Sequence, residues 1–452
     1  MAKTQTLFAC SNCDAQYPKW VGRCNICGKW NTVAEQAPVS GHKAIDAKPL
    51  KPSLASDVAL HQSRRLSSGI AEMDRILGEE GEASGLVPGS LVLLGGDPGI
   101  GKSTLALQAA VNFSNQNIKT LYVSGEESLP QIRLRAERLG HDLSKLLLLA
   151  ENNLEAIIAT LNDVKPEFVV IDSIQTMFSE EVGGVAGGVA QVANATNRIM
   201  EFIKSRNLAT MIIGHVTKEG NLAGPKMLEH MVDVVMYMEG DRFSAFRLLR
   251  CVKNRFGSTN EVGVFEMKAQ GLQAVANPSQ LFLAERARLR PGSAVTCTIE
   301  GSRPLLLEIQ ALTSRSQFNY PKRNSTGYDM NRLLMLTAVL QKHLRLNLFD
   351  QDLFVSVAGG FRVAETACDL GVALAVLSSL RDVPVPEDLA AIGEVGLSGE
   401  IRMVPQADKR VAEAGRLGFK RILLPAAGRV SNSKIKLIPV SDLREVLAFL
   451  KA

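Results

Sequence analysis

The spacing of hydrophobic residues divides the chain into segments of different character. From about residue 61 to 275, continuous apolar runs alternate with stretches of helical spacing. The apolar runs lie at 91–94, 120–124, 168–171 and 209–214, and the helical stretches lie at 103–113, 129–139 and 194–206. Continuous apolar strands separated by helices are typical of a parallel sheet that is covered on both faces. Three further runs, at 234–238, 246–252 and 262–267, predict antiparallel strands that complete the sheet.

The pattern changes again near residue 278 and predicts a second α/β domain over residues 276–452. Its predicted strands lie at 294–299, 305–310 and 353–357, and its two long helices lie at 330–343 and 369–380. At the other end, residues 1–35 carry both tryptophans and four cysteines, and residues 36–60, rich in Ala, Pro, Ser and Lys, form a linker. The sequence therefore predicts a small N-terminal module, a linker and two α/β domains.

Composition narrows the class of protein only in part. The chain has 452 residues, 46% hydrophobic and 21% charged, which excludes a disordered chain or a fibre. No apolar run approaches the roughly 18 residues that a membrane span needs, and the N-terminus lacks a signal-peptide core, so we expect a cytoplasmic protein without membrane contacts. The net charge of +5 permits an anionic partner without identifying one.

A phosphate-binding loop is the most specific feature of the first α/β domain. It follows an apolar run, opens a helical stretch and fits the pattern G-x4-G-K-S/T. Its residues, all predicted to bind nucleotide, are Gly96, Asp97, Pro98, Gly99, Ile100, Gly101, Lys102, Ser103 and Thr104. The glycines let backbone N–H groups face the phosphates, and the helix N-terminus favours an anion. Lys102 supplies a positive charge to the β- and γ-phosphates, and the Ser103 hydroxyl is a ligand for Mg²⁺.

Acidic residues follow two other apolar runs. Asp172 ends the buried run at 168–171, where a carboxylate can hold the hydration shell of Mg²⁺. Glu126 and Glu127 follow the run at 120–124, and ligands of such sheets bind at the carboxyl ends of the strands. We predict that Glu126 is the base that orients the attacking water, with Glu127 as its neighbour; the alternative is that both are solvated loop charges.

His215 follows the run at 209–214 and precedes a loop that contains Lys218 and Gly220. A histidine at this position could sense the γ-phosphate and transmit its presence to the loop. The alternative interpretation is a structural histidine at a strand end.

The cysteine spacing at the N-terminus predicts a zinc site. Cys10 and Cys13 form one C-x2-C pair, and Cys24 and Cys27 form a second after ten intervening residues. Two such pairs offer four thiolates to one tetrahedral Zn²⁺, which would stabilise a unit too small for its own core. With no open coordination position, the site is structural; a redox dithiol is the minor alternative. Basic residues beside Trp20 and Trp30 could contact nucleic acid or a partner protein, namely Lys19, Arg23 and Lys29.

The phosphate loop, the Glu126 loop, the Asp172 strand and the His215 loop, in this order, resemble the RecA/DnaB-like family of ATPases. The whole chain is similar to the RadA (Sms) family of bacterial DNA repair proteins, most specifically in the sequence KNRFG at residues 253–257. The resemblance implies a RecA-like P-loop ATPase core at 61–275 with a mainly parallel sheet. It also implies a Lon-protease-like α/β domain within 276–452, with its core at about 350–452.

The resemblance further implies that the nucleotide lies between subunits of a hexameric ring. Lys253 and Arg255 would then reach the neighbouring subunit's nucleotide and act as catalytic cations. Two loops would contact single-stranded DNA, at 180–188 and at 218–226, the second carrying Lys218 and Lys226; ordinary flexible loops remain the alternative.

In the Lon-like part, the resemblance places Ala367 where the peptidase has its serine and Asp408 where it has its lysine. Cys368 and Lys409 are adjacent in sequence but displaced around their helices. We therefore expect no proteolysis. Basic residues of this domain could bind duplex DNA or could be solvated charges; they are Arg286, Arg288, Arg290, Arg315, Lys322 and Arg323.

These features together predict a DNA-dependent ATPase, with ATP, Mg²⁺ and Zn²⁺ as cofactors, that acts on single-stranded and branched DNA and promotes branch migration in recombinational repair. The expected protein partners are the recombinase or a replicative helicase. The alternatives are a KaiC-like regulatory ATPase that acts on proteins, a Lon-type protease, and a non-enzymatic DNA-binding scaffold.

Overall fold

The computed structural model describes residues 7–10, 15–36, 65–80, 83–140, 142–215, 225–240, 245–284, 286, 290–317, 320–428, 430 and 434–450. Its contacts group the chain into two compact units. One contains residues 1–63 together with 181–185, and the other contains residues 64–180 together with 186–452.

The N-terminal unit contains a small antiparallel sheet. Strand β1 (Leu7–Cys10) lies between β2 (Gln16–Tyr17) and β3 (Val33–Gln36). Cys10, Cys24 and Val33 form its small buried cluster. So small a core cannot stabilise a unit of this size alone, so the cysteines must supply further stabilisation.

The second unit is built on a nine-stranded sheet in the order β14-β13-β12-β11-β6-β10-β9-β7-β8. The strands are β6 (Leu91–Gly96), β7 (Thr120–Ser124), β8 (Leu147–Ala150), β9 (Phe168–Asp172), β10 (Ala209–Ile213), β11 (Val234–Glu239), β12 (Phe246–Asn254), β13 (Val262–Lys268) and β14 (Gly271–Ala274). A separate hairpin pairs β4 (Glu79–Glu80) with β5 (Ala83–Ser84). The prediction of a mainly parallel, buried sheet is confirmed: β11, β6, β10, β9, β7 and β8 are all parallel.

The prediction that the runs at 234–238, 246–252 and 262–267 form antiparallel neighbours is confirmed, and the first of them has a second, parallel neighbour. This first run forms β11, which pairs parallel with β6 and antiparallel only with β12. The antiparallel part of the sheet is β12, β13 and β14. The short sequence spacing between the runs indicated the antiparallel pairing of β11 with β12 correctly. The parallel pairing of β11 with β6 depends on the direction in which the chain returns to β6, and no local sequence pattern predicts that direction.

Helices cover both faces of this sheet and form two cores. They are α1 (Ala71–Leu77), α2 (Lys102–Asn115), α3 (Leu129–Glu137), α4 (Leu154–Val164), α5 (Val189–Arg206) and α6 (Pro225–Leu228). All five residues of β7, β9 and β10 are buried, as expected for strands with helices on both sides. The sheet therefore holds the ends of its central strands at fixed positions.

The C-terminal part of the same unit contains a mixed sheet in the order β17-β18-β16-β15-β19-β22-β23. Its strands are β15 (Ser293–Glu300), β16 (Arg303–Arg315), β17 (Arg323–Thr326), β18 (Gln351–Val357), β19 (Leu389–Ala391), β22 (Arg421–Pro425) and β23 (Lys436–Val440), and a hairpin joins β20 (Glu394–Val395) to β21 (Ile401–Arg402). The helices are α7 (Pro278–Leu283), α8 (Met330–Leu344), α9 (Asp369–Arg381), α10 (Ala407–Arg416) and α11 (Leu443–Val446). Helix α9 is buried over most of its length and forms the centre of this core.

Candidate functional site

The phosphate loop connects β6 to α2 at the carboxyl edge of the parallel sheet. Gly96 and Gly101 have φ values of 144° and 116°, which a residue with a side chain rarely adopts. A Cβ at Gly101 would lie 2.8 Å from the terminal methyl group of Met267, so a larger residue would also have to displace this flexible side chain. At Gly99 an added Cβ would meet nothing within 4 Å, so the loop opens outward. The first turn of α2 contains no acidic residue, and its N–H groups are available to an anion.

Lys102 lies beneath this loop and is 3% exposed. Its Nζ donates to the carbonyl oxygens of Gly96 and Asp97, at 2.9 Å each. Burial lowers the pKa of Lys102 to about 8, although neighbouring carboxylates act in the opposite direction. The ammonium group is thus held at the loop by neutral acceptors that a nucleotide's phosphate oxygens can replace.

Asp172 ends β9 and is almost completely buried. Its Oδ2 accepts a hydrogen bond from the Tyr122 hydroxyl at 2.6 Å, whereas its Oδ1 is buried and has no hydrogen-bond partner. An unpaired buried carboxylate oxygen is costly unless a ligand satisfies it. This oxygen therefore fits the prediction that Asp172 faces a hydrated divalent cation, with Ser103 at the start of α2 as the second oxygen donor.

Glu126 follows β7, the strand beside β9. Its Oε1 accepts a hydrogen bond from the Ser173 hydroxyl at 2.7 Å and lies 3.4 Å from the His215 Nε2. The His215 imidazole and the Ser173 hydroxyl hold the pKa of Glu126 at about 2, despite partial burial. The Glu126 carboxylate is therefore ionised at neutral pH and can accept a proton-donating contact from water.

His215 follows β10 and joins this edge through two contacts. Its ring faces Glu126, and its carbonyl accepts a hydrogen bond from the Gln175 amide at 3.3 Å. The loop that follows, residues 216–224, lies outside the described residues, so Lys218 cannot be placed. Lys226 lies in α6 and is exposed.

Arg135, on α3, connects the acidic residues of this edge. Its guanidinium lies 2.9 Å from Glu127, donates to the Tyr122 hydroxyl at 3.1 Å and lies 3.7 Å from Asp172. Helix α3 begins with a capping box between Ser128 and Gln131, which fixes the helix that carries Arg135. Glu127 is therefore an ion-pair partner of Arg135, while Glu126 is the acid that faces Ser173 and His215.

Lys253 and Arg255 lie near the ends of the strands that are opposite to the phosphate loop. Lys253 is paired with Val235 near the start of β11, and Arg255 donates to the Asp233 carboxylate at 2.9 Å. Asp233 in turn accepts from the backbone N–H of Leu91, the first residue of β6. Since β6 runs from Leu91 to Gly96, Arg255 is about 16 Å from the phosphate loop along the strand direction. Within one chain it cannot reach that loop.

The segment KNRFG (residues 253–257) contacts two different parts of the chain. Lys253 donates to the carbonyl oxygens of Glu229 and His230, at 2.7 and 3.3 Å, and Arg255 bonds the same segment at Asp233. Asn254 instead donates to the carbonyls of Ile76 and Leu77 at the end of α1. The Phe256 carbonyl accepts from the buried Arg65 at 2.7 Å. A β-bulge between Lys253 and Cys251 precedes the segment, and Val252 at the bulge is exposed.

Three of the predicted zinc ligands lie together. The sulfur atoms of Cys10, Cys24 and Cys27 are within 4.8 Å of one another, and those of Cys10 and Cys27 are 3.7 Å apart. A tetrahedral zinc ion with Zn–S bonds of about 2.3 Å requires sulfur separations of about 3.8 Å, so the spacing fits zinc. Gly28, at a φ of 70°, closes the second turn with a hydrogen bond to the Cys24 carbonyl. Cys13 lies outside the described residues.

The other residues predicted to contact DNA are those of the loop at 180–188 and the basic residues of the C-terminal domain. In the loop at 180–188, Cβ atoms added at Gly183 and Gly184 would meet nothing within 4 Å. Arg286 donates to the Glu387 carbonyl, and Arg323 donates to the carbonyls of Gln351 and Leu348, so both stabilise their own domain. Arg288 lies outside the described residues. The remaining basic residues of that set are exposed, namely Arg290, Arg315 and Lys322.

The position predicted for a peptidase nucleophile is filled by apolar residues. Ala367 is 1% exposed and belongs to a cluster that includes Val411 of α10. Burial raises the pKa of the neighbouring Cys368 thiol to about 12, which leaves it protonated and unreactive. Close by, the buried Arg410 forms two 2.6 Å hydrogen bonds to Glu365. Among the described residues, this region contains a structural ion pair where a peptidase would need an accessible dyad.

The sequence patterns missed several groups of the candidate site. Tyr122, Arg135 and Ser173 contact the predicted acids but belong to no spacing pattern. Arg247 of β12 is a fourth, since its Nε donates to the Ile100 carbonyl of the phosphate loop at 3.2 Å. Only Ser173 had a usable signal, because it directly follows Asp172.

Three parts of the chain match models of known protein families. A family model described as "AAA domain" matches residues 81–221. Models described as "Rubredoxin metal binding domain" and "Subunit ChlI of Mg-chelatase" match residues 8–35 and 337–428. The second unit therefore contains an ATPase domain, and the N-terminal cysteines belong to a zinc-ribbon module.

Relatives of nearly the same length are similar over almost the whole chain. The chain is 45% identical to the DNA repair protein RadA of Bacillus subtilis (strain 168), covering 99% of both chains. It is 46% identical to the protein of that name in Pseudomonas aeruginosa, over 99% of both, and 48% identical to that of Listeria monocytogenes, over 94% and 93%. A solved structure, a KaiC-like protein from Pyrococcus horikoshii OT3, covers 47% of this chain at 19% identity with a TM-score of 0.38, too distant a likeness to bear on function.

Proposed function

Since this chain belongs to the RadA family of DNA repair proteins, we propose that its ATPase is stimulated by DNA and promotes branch migration of recombination intermediates. Single-stranded and branched DNA are the proposed substrates, and a ring of six copies is the proposed assembly. The recombinase or a replicative helicase is the proposed protein partner.

The convergence of Lys102, Glu126 and Asp172 at one sheet edge is the observation that carries this proposal. In the proposed reaction, Lys102 gives up its bonds to the Gly96 and Asp97 carbonyls and binds the β- and γ-phosphate oxygens. The backbone of residues 96–104 surrounds the phosphates, and the dipole of α2 favours their charge. Ser103 and Asp172 would hold a Mg²⁺ ion, Ser103 through its hydroxyl and Asp172 through the hydration shell, and the ion would neutralise charge on the phosphates.

Glu126 is the proposed water-orienting residue. With a pKa of about 2 it is ionised, and Ser173 and His215 hold one of its oxygens, so the second is available to a water molecule in line with the γ-phosphate. His215 would also respond to the γ-phosphate, since its ring faces Glu126 and it directly precedes residues 216–224 in the sequence.

Lys253 and Arg255 are the proposed cations supplied by a neighbouring copy. The support is their position, since the phosphate loop of their own chain is at the other end of β6. A cation that arrives from another subunit stabilises charge that develops on the γ-phosphate in the transition state.

Activity as a Lon-type protease is disfavoured by the buried Ala367 and by the protonated Cys368 thiol. No observation favours a regulatory ATPase that acts on proteins, or a scaffold without catalysis.

ATP hydrolysis by the full chain, measured with and without oligothymidylate and forked DNA, tests the proposal. We expect DNA to raise the rate, and we expect Glu126→Gln to lower it by about 10²- to 10⁴-fold while ATP still binds. A three-stranded DNA substrate then tests branch migration directly. A rate that does not respond to any DNA, or a Lys102→Ala chain that still moves branches, contradicts the proposal.

A further inference from the structure

Two exposed tryptophans lie together on the zinc module. Trp20 is 59% exposed and Trp30 is 69% exposed, and the chain contains no other tryptophan. Gly22 lies between them: a Cβ at this glycine would be 3.5 Å from the Trp20 ring and 3.9 Å from the Trp30 ring. The Trp20 Nε1 donates to the Val33 carbonyl at 2.9 Å, which fixes that ring. The two indoles and Gly22 form a surface that we call the tryptophan platform.

Basic side chains surround the tryptophan platform. Lys19, Arg23 and Lys29 are all exposed. The Arg23 guanidinium lies 5.8 Å from the centre of the Trp30 ring, and its Nε donates to the Gly28 carbonyl at 2.9 Å. Residues 15–36 contain these three basic residues and a single acidic one, Glu35.

This combination suits one kind of partner. Large exposed apolar rings on a small unit require an explanation, because burying them would normally stabilise it. Proteins that bind single strands combine aromatic faces, on which bases stack, with cations that follow the phosphates. The positive charges match a polyanion, and the rings match its bases.

We propose that the tryptophan platform binds single-stranded nucleic acid, stacking bases on Trp20 and Trp30 while Lys19, Arg23 and Lys29 contact phosphates. This inference extends the proposed function, because it gives the zinc module its own contact with the strand. It does not depend on the ATPase domain for its test.

Intrinsic fluorescence provides the test, because every tryptophan of the zinc-loaded full-length chain belongs to the platform. Oligothymidylate of about 12 nucleotides, added without ATP, should quench the emission to saturation. In the Trp30→Ala chain, quenching of the remaining Trp20 should require a roughly 5- to 150-fold higher oligonucleotide concentration, since stacking on one ring is lost.

Charge variants separate phosphate contact from stacking. Lys19→Gln and Arg23→Gln should each reduce the slope of log affinity against log salt by about 0.7, as expected for one lost phosphate contact on a single strand. Lys204→Gln, which removes an exposed lysine from α5, is the matched control and should leave the slope of the quenching titration unchanged.

Three outcomes distinguish this inference from the proposed function. Unchanged emission at oligothymidylate concentrations that fully stimulate ATP hydrolysis overturns the platform proposal and leaves the proposed function intact. Quenching without any stimulation supports the platform and contradicts the DNA-dependent ATPase. Emission that responds to an oligoglutamate peptide but not to oligothymidylate overturns the proposal, because the platform is then a protein-binding surface.

Discussion

At the scale of single residues, the buried Lys102 ammonium loses its charge at a lower pH than an ordinary lysine. Its pKa of about 8 follows from burial, and its hydrogen bonds to two neutral carbonyls give no ion-pair compensation. A bound polyphosphate would supply that compensation and would raise the pKa again. Nucleotide binding and protonation of Lys102 are therefore linked.

We predict that ATP affinity decreases as the pH rises above about 8. Below this pH Lys102 is charged in the free protein, and above it the protein must take up a proton to bind, which weakens binding up to tenfold per pH unit. Equilibrium titration with a fluorescent ATP analogue across this range measures the effect. The Lys102→Arg chain is the control, because an arginine stays charged; the same decrease in that chain would assign the effect to another group.

A second prediction concerns Tyr122, which acts on the candidate metal site through Asp172. Tyr122→Phe removes the 2.6 Å hydrogen bond to Asp172 Oδ2 and releases the carboxylate to rotate. We expect a roughly 10- to 100-fold higher Mg²⁺ requirement for ATP hydrolysis, as for other second-layer partners of metal ligands, with similar affinity for ATP. Tyr237→Phe, which loses a hydroxyl bonded to Glu229, is the matched control. An unchanged Mg²⁺ titration would show that Tyr122 does not position Asp172.

At the scale of elements, the segment at the end of β12, residues 253–257, contains residues with structural contacts and residues with a proposed role in hydrolysis. Asn254 and Phe256 hold the end of α1 and Arg65, whereas Lys253 and Arg255 reach residues 229–233, which follow α6. The division begins at the last two residues of β12, Lys253 and Asn254, whose side chains point to opposite faces of the strand.

The two groups of residues should respond differently to substitution. Asn254→Ala removes a donor from the Ile76 carbonyl and one of two donors from the Leu77 carbonyl, which also accepts from Arg65, and should lower the free energy of unfolding by about 1–3 kcal/mol. Arg255→Ala should change it much less, because the Arg255 side chain is half exposed, but should reduce ATP hydrolysis. Thermal denaturation and hydrolysis rates of both chains measure the difference. Equal destabilisation by both would mean that Arg255 is mainly structural.

Local patterns predicted those elements whose character is set by neighbouring residues. The strand–loop–helix around Gly96–Ser103 and the buried strand before Asp172 could be identified, because glycine geometry and continuous apolar runs are local properties. The parallel pairing of β11 with β6 and the helix α4 were not predicted. Arg135, Tyr122 and Asp172 come together from α3, β7 and β9, so their contacts exist only after the sheet has formed.

At the scale of the whole molecule, the phosphate loop and the Arg255 region lie at opposite edges of one sheet. If the proposed nucleotide site and the proposed cation act together, head-to-tail association of copies would bring them into contact. Among the helices of the described ranges, none is long and apolar enough to cross a bilayer.

Mixing variants tests whether the site is shared between copies. Lys102→Ala chains and Arg255→Ala chains should each hydrolyse ATP poorly alone. In a mixture, some interfaces combine an intact loop with an intact cation, so we expect hydrolysis to exceed the sum of the separate rates. Mixing Lys102→Ala with Glu126→Gln is the control, because both defects affect the loop side. No recovery in the first mixture would contradict the proposal that a neighbouring copy supplies Arg255.

The separation of about 16 Å between Leu91 and Gly96 has a consequence for the number of complete sites in an assembly whose sites are shared between copies. A linear row of such chains always has one terminal loop that no cation reaches and one terminal cation that serves no loop. Closing the row into a ring pairs the terminal loop with the terminal cation, whatever the number of chains. The gain from closure is largest, as a fraction of the total, when the ring is small.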